Sequence, residues 1–249
     1  MSACFLVYHR LADHGANRRF HDVAPALWER HLDRLAHLGA APMDADPLLR
    51  LTDGRNVALT FDDGTADHLD AARALDRRGW RGVFMVPAGL LGESGRLSDA
   101  DVAALAASGH AIGSHGWSHR RFDQLSERER ANELAASRDR LGGVTGSAPV
   151  WLAPPGGLWP AAATAQALEL GYRHARGTAW GVVADGWQER PETLLPAFVL
   201  SGRVGPQALA WLLRARPGGV FDRLARMKEG VKRLTGEAAW DRMREGIRR

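Results

Sequence analysis

The chain has 249 residues and a mass of 27.1 kDa, enough for one elaborate domain or two compact ones. Hydrophobic residues at 45% and charged residues at 25% exclude a disordered, collagen-like or coiled-coil chain. The single cysteine, Cys4, excludes a disulfide framework and a thiolate zinc cluster, so any metal must be held by histidine and carboxylate. The net charge of +4 is unevenly spread, because residues 214–249 carry eleven Lys/Arg against five Asp/Glu and leave the remainder slightly acidic. Basicity confined to a helical tail is a poor footprint for nucleic acid, and no nucleic-acid partner is expected. The first ten residues lack the charged head and apolar run of a secretory signal, and no stretch approaches the ~20 apolar residues of a membrane span. A soluble, cytoplasmic protein is the expectation.

In chain order, β-branched and aromatic runs predict strands at 4–8, 57–61, 82–86, 111–114, 150–152, 172–175 and 197–200. Stretches of helical period lie at 25–38, 66–78, 98–107, 126–141 and 160–170. Pro25 and Pro160 suit a first helical turn, and Gly39, Gly79, Gly109, Gly142 and Gly171 follow the helical runs as stops. Ser98 with Asp101 and Ser126 with Glu129 have the spacing of capping boxes. Such alternation reads as βαβ units with parallel strands covered by helices. Seven strands of this kind can close into a barrel or remain an open sheet, and periodicity does not choose. Beyond residue 200 the pattern is wholly helical, at 206–214, 220–229 and 238–247. This sets a domain over 1–203 and a basic helical extension over 204–249. Trp211, Phe221, Leu224, Met227, Val231 and Leu234 form a stripe suited to packing on the body. The Arg/Lys excess is either the solvated face of those helices or a peripheral contact with an anionic membrane surface.

Four polar clusters follow predicted strands. Phe61-Asp62-Asp63-Gly64 places two carboxylates at a strand end, where their mutual repulsion needs a cation; the same residues also make good turn chemistry. His115 and His119 lie just past another strand, spaced to reach one ion, and two His with one carboxylate make a hydrolytic zinc set. Pro154-Pro155-Gly156-Gly157 is a bare turn whose Gly156 amide can donate to an oxyanion, or else a plain loop. His9 ends the first strand. All four leave the same end of their strands, the face on which parallel α/β folds build their sites.

Thr60-Phe61-Asp62-Asp63-Gly64 and Ser114-His115-Gly116-Trp117-Ser118-His119 resemble the first two motifs of the polysaccharide deacetylase family, also called the NodB homology domain or carbohydrate esterase family four. The resemblance covers about residues 5–200. It implies a distorted (β/α)7 barrel of parallel strands, here with a helical C-terminal extension. It further implies Asp63, His115 and His119 as ligands of a divalent metal, most often Zn2+, with Co2+, Ni2+ or Fe2+ as alternatives. Asp62 would be the general base, and Gly156, next to Pro155, would bind the oxyanion and substrate. The implied reaction is removal of N-acetyl groups from N-acetylhexosamine-containing glycans or their precursors. An N-acetylated sugar or polysaccharide is thus the expected partner.

Two departures stand out. Ala153 occupies the position of an arginine that braces the base, and Phe198-Val199-Leu200-Ser201-Gly202 lacks the late acid histidine. Leu6-Val7-Tyr8-His9-Arg10 resembles the opening of the biofilm-type deacetylases, which implies His9 as the acid, with Asp185 tuning it. The alternatives are a deformylase or amidase acting on a non-glycan amide, and a glycan-binding relative with impaired catalysis. His110 reads as structural, while His14, His21, His31, His37 and His68 read as mostly solvated. Trp28, Trp80, Trp151 and Trp240 read as packing residues. Trp117, Trp159, Trp180 and Trp187 read equally well as packing or as walls of the mouth.

Overall fold

Strand β1 (Ala3–Tyr8) is buried along its whole length, and its alternate side chains enter different cores. Ala3, Phe5 and Val7 face one apolar cluster, while Cys4, Leu6 and Tyr8 face another. Successive strand residues point to opposite faces, so a run apolar at every position must be covered on both. The structure, a computed structural model, describes residues 2–13, 19–43, 46–189 and 194–221, together with 223, 224 and 227.

Helix α1 (Pro25–His37) lays Trp28, Leu32 and Leu35 into the cluster that holds Leu6 and Tyr8. Next come β2 (Ala41–Met43) and β3 (Asp46–Arg50), an antiparallel pair whose second strand also runs antiparallel to β4 (Asn56–Phe61). The chain continues through α2 (His68–Asp76), β5 (Val83–Val86), α3 (Asp99–Ala107), β6 (Ala111–Ser114) and α4 (Glu127–Thr145). After these lie β7 (Trp151–Leu152), α5 (Ala161–Glu169), β8 (His174–Arg176), β9 (Leu194–Leu195), β10 (Phe198–Val199) and α6 (Pro206–Leu212). The sheet order is β10-β1-β4-β5-β6-β7-β8-β9, with every neighbouring pair parallel. The last strand therefore returns beside the first, as in a distorted barrel. The interior is filled by Phe5, Val7, Ala58, Met85, Trp151 and Trp187.

All seven expected strands are present, and both capping boxes form. The β2–β3 hairpin and β9 are additions; Pro42 and Pro47 obscure the hairpin's alternation. Gly142 does not stop α4, which runs on to Thr145 and ends at Gly146 in a left-handed conformation. A Cβ at Gly142 would lie 3.3 Å from the Ala148 backbone, so this glycine makes room for the returning chain.

His31 and His68 are buried, not solvated, because α1 and α2 turn those faces onto the sheet. His31 donates to the Val204 carbonyl at 2.7 Å and accepts from the Tyr8 hydroxyl at 3.1 Å. Trp187 belongs to the interior, against Phe5, Trp151 and His174. Helix α6 joins the outer core through Leu209 and Leu212. Of the expected apolar stripe, Phe221 is buried against Phe198, whereas Trp211 on α6 and Leu224 and Met227 beyond it are exposed. The rest of the expected helix at 220–229, that at 238–247, and with them Val231, Leu234, Trp240 and most of the basic tail, lie outside the described residues, as does His14. Among the described residues no helix is long and apolar enough to cross a membrane.

Candidate metal centre

The period of the strands that fill the interior also places the site. Continuing the alternation one step past Val7, Gly113, Trp151 and His174 gives His9, His115, Ala153 and Arg176, and continuing it past Ala58 and Thr60 gives Asp62. The ladder supports this extension. Asp62 N–H donates to the Tyr8 carbonyl, His115 N–H to that of Val86 and Ala153 N–H to that of Ser114, each at 2.9 Å. The site is the last interior layer at the C-terminal end of the barrel strands.

Asp63, His115 and His119 converge, with one ligand atom from each lying within 4.8 Å of the others. Asp63 Oδ1 is 2.9 Å from His119 Nε2 and 3.5 Å from His115 Nε2. Ligands about 2.1 Å from a zinc ion in a tetrahedron stand roughly 3.4 Å apart, so these three fit one cation. The donor chemistry agrees. His115 Nδ1–H donates to the Ala153 carbonyl at 2.7 Å, which fixes the ring and leaves Nε2 of the neutral imidazole as an electron-pair donor toward Asp63. Two acceptors facing each other in a buried place require a cation between them, whether a proton or a metal. Burial opposes charge on both groups. The imidazoles of His115 and His119 beside it still hold the Asp63 carboxyl far below the usual carboxylate range, and Asp63 in turn raises His115.

The loop carrying His119 hangs on Glu133 of α4. Its carboxylate accepts from Trp117 N–H at 2.7 Å, from Ser118 N–H at 2.8 Å and from the Ser118 hydroxyl. Trp117 packs on Gly89, where a Cβ would come within 2.6 Å of the indole Nε1. Its role is packing. Trp159 donates to Thr164 at 2.7 Å and packs on Phe122, while Trp180 is half exposed against Phe198.

Asp62 is 2% exposed and is paired with Arg176, itself 1% exposed. Burial would raise its carboxyl, but the charges of Arg176, His115 and His9 prevail and hold it below the ordinary value. His9 lies beside these groups. Its imidazole is pushed below the usual range by burial, against the pull of Asp62 and Asp63, and its Nδ1 is buried without a hydrogen-bond partner. The ring stacks on His21 at 4.9 Å, and the His9 carbonyl accepts from His68 Nε2–H at 2.7 Å. Pro155 is buried in the turn after β7, and Gly156 and Gly157 both take left-handed backbone. At Gly157 a Cβ would stand 2.1 Å from Thr178 Oγ1, so only glycine fits. A cavity of about 550 Å³ opens against Asp63, lined also by Arg10, Thr65, Asp67 and Arg96. Asp185 is exposed, in the turn before Trp187.

Three contributors escaped the sequence: Arg176, Glu133 and His68. Arg176 follows the expected strand at 172–175, and nothing in that segment points to Asp62, 114 residues away. Glu133 carried no signal on a helix rich in charge.

A profile of the polysaccharide deacetylase family matches residues 50–175, which include Asp62, Asp63, His115 and His119. Peptidoglycan-N-acetylglucosamine deacetylase PgdA of Listeria monocytogenes is 26% identical over 183 residues, 73% of this chain; the chain spans 36% of that relative's length. In fold the chain is similar to the polysaccharide deacetylase BC0361 of Bacillus cereus, with a TM-score of 0.74 and 20% identity over 86% of this chain and 69% of that one. It is equally similar to the deacetylase PplD of Streptococcus pyogenes, with a TM-score of 0.74 and 20% identity over 86% of this chain and 99% of that one. A family profile that covers half of the chain and ends just short of Arg176, on a fold these neighbours share, places this protein in the polysaccharide deacetylase family.

Proposed function

We propose that the protein hydrolyses the N-acetyl groups of N-acetylhexosamine-containing glycans or glycan precursors. The observation that carries this is the meeting of Asp63, His115 and His119 around one point, with the buried carboxylate of Asp62 adjoining Asp63 in sequence. A divalent cation held by those three side chains, zinc before cobalt, nickel or iron, would supply Lewis-acid polarisation of the acetyl carbonyl and acidify a water. Asp62, kept ionised by Arg176, takes the proton from the attacking water. His9, whose ring has a buried nitrogen not committed to another group, first takes up a proton, which Asp62 and Asp63 favour against its burial, and then passes it to the departing amine. The Gly156 amide, in a turn without a side chain, steadies the negative charge developing on the acetyl oxygen. The family, and the deacetylase activity named for PgdA, support an acetylated amino-sugar substrate.

The test is acetate release from N-acetylglucosamine oligosaccharides and peptidoglycan fragments by the zinc-loaded protein, beside formylated amino sugars and simple amides. Asp62→Asn is expected to lower turnover on the order of 10²- to 10⁴-fold while zinc binding persists. Preference for the formyl or non-glycan amides would move the reading to a deformylase or amidase. Glycan binding without acetate release, unchanged by Asp62→Asn, would sink the hydrolase.

A further inference from the structure

We propose that Arg176 is the positioning residue for Asp62, reaching it from β8 because the seat on the neighbouring strand is filled by Ala153. This rests on the reading of Asp62 as the base. The register of β7 and β8 pairs Trp151 with His174 and Leu152 with Ala175, so the next pair along is Ala153 and Arg176. Both continue the interior parity, and strands stand roughly 4.8 Å apart. An arginine on either strand can therefore reach the same carboxylate. Ala153 is buried and has no side chain beyond Cβ, which leaves the volume at that level to Arg176.

The arginine is held as well as holding. Its Nη1 donates to the Gly177 carbonyl at 3.1 Å and its Nη2 to Asp62 Oδ1, which fixes the guanidinium plane. With Oδ1 tied down, Oδ2 is the oxygen that receives the proton. A lysine would supply charge but not the planar fork, so charge and geometry can be separated. Arg176 touches neither substrate nor reacting atoms in this scheme; it acts through Asp62.

Kinetics and crystal structures of zinc-loaded Arg176→Ala, Arg176→Lys and the double variant Arg176→Ala/Ala153→Arg test the assignment. Arg176→Ala is expected to lose about 100-fold in kcat with KM and zinc affinity nearly unchanged, the scale of a reacting group displaced by about 1 Å. Arg176→Lys should fall between it and the wild type. The guanidinium introduced by Ala153→Arg should restore at least about tenfold of kcat and return the Asp62 carboxylate to its wild-type place. Full kcat in Arg176→Ala, an Asp62 carboxylate unmoved there, or a double variant whose new guanidinium meets Asp62 without recovery would each overturn the proposal. If Arg176→Ala does not fold, the lysine and double variants decide by the same two readouts. A wild type inactive on every substrate would sink the deacetylase reading alone, and the Asp62 position in the crystals would still decide the role of Arg176.

Discussion

Asp63 and His119 are the two non-glycine residues with left-handed backbone among those described, at φ 79° and 62°, and their side chains meet at 2.9 Å. Each such conformation costs on the order of 1–3 kcal/mol, and it persists where the surroundings over-determine it. Here the backbone turns out of its comfortable range to aim a carboxylate and an imidazole at one point. His119→Gly removes the strain and one of the three side chains proposed to hold the metal. The metal-free variant is expected to be at least as stable as the metal-free wild type in urea melts, while zinc affinity falls more than about 100-fold. A metal-free variant weaker by more than about 1 kcal/mol would mean that the contact with Asp63 outweighs the strain.

Glu133 sets the loop between the two histidines. Three donors from Trp117 and Ser118 converge on its buried carboxylate, and hydrogen bonds to a charged acceptor contribute about 1.5–3 kcal/mol. Glu133→Ala leaves those donors without a partner and should lower stability by about 2–4 kcal/mol. Zinc affinity should drop about 10- to 100-fold, as for other groups that orient ligands from behind. Glu133→Gln keeps one acceptor oxygen and is expected to fall between. Calorimetric zinc titration of the three proteins checks the order, and equal affinities would show the loop to be held by other contacts.

The interior is packed tightly enough to be tested by one methyl group. A Cβ on Gly113 would stand 2.4 Å from Met85 Sδ and 3.0 Å from Trp151 Cβ. Gly113→Ala should therefore cost about 1–3 kcal/mol by overpacking. Shortening the neighbour in Gly113→Ala/Met85→Ala should recover part of it, because the clash is with the end of a flexible side chain. Chemical denaturation of both variants reads this directly, and a double variant weaker than the sum of its parts would contradict the proposed contact.

What the sequence disclosed and what it withheld follow from how local each signal is. The convergence of Asp63, His115 and His119 was legible because all three sit within a few residues of strand ends whose apolar runs are unmistakable. Both capping boxes were legible for the same reason, since Ser98 and Ser126 find their partners three residues away. Gly142 misled because a helix-terminating glycine and a space-making glycine look alike until Ala148 is seen beside it. His31 and His68 were misjudged because period alone does not say which face of a helix meets the sheet. Arg176 was invisible as the partner of Asp62, 114 residues away, because a charge pair made by strand order has no footprint in either segment. The vacancy at Ala153 was legible; the side chain that fills it was not.

His110 offers a pH test remote from the candidate metal centre. It is buried beneath Phe84, accepts from Gly82 N–H through Nδ1 at 3.2 Å and directs Nε2 toward Asp76 at 3.4 Å. Burial pushes its imidazole down to about 4, against the attraction of Asp76. The unfolded chain binds a proton near the ordinary 6.5, so between those values the unfolded state carries the extra proton. Stability is therefore fully present above about 6.5 and is lost as pH falls from there toward 4, by up to about 3 kcal/mol from this group. His9, His31, His68 and His174 are also lowered and act in the same direction, so the wild-type curve alone does not isolate it. His110→Asn keeps an acceptor for Gly82 and removes the titration. Urea unfolding at pH 7 and pH 4.5 should show a smaller loss in the variant than in the wild type. Parallel curves would mean that His110 takes up its proton equally well folded and unfolded, and that its burial carries no electrostatic cost.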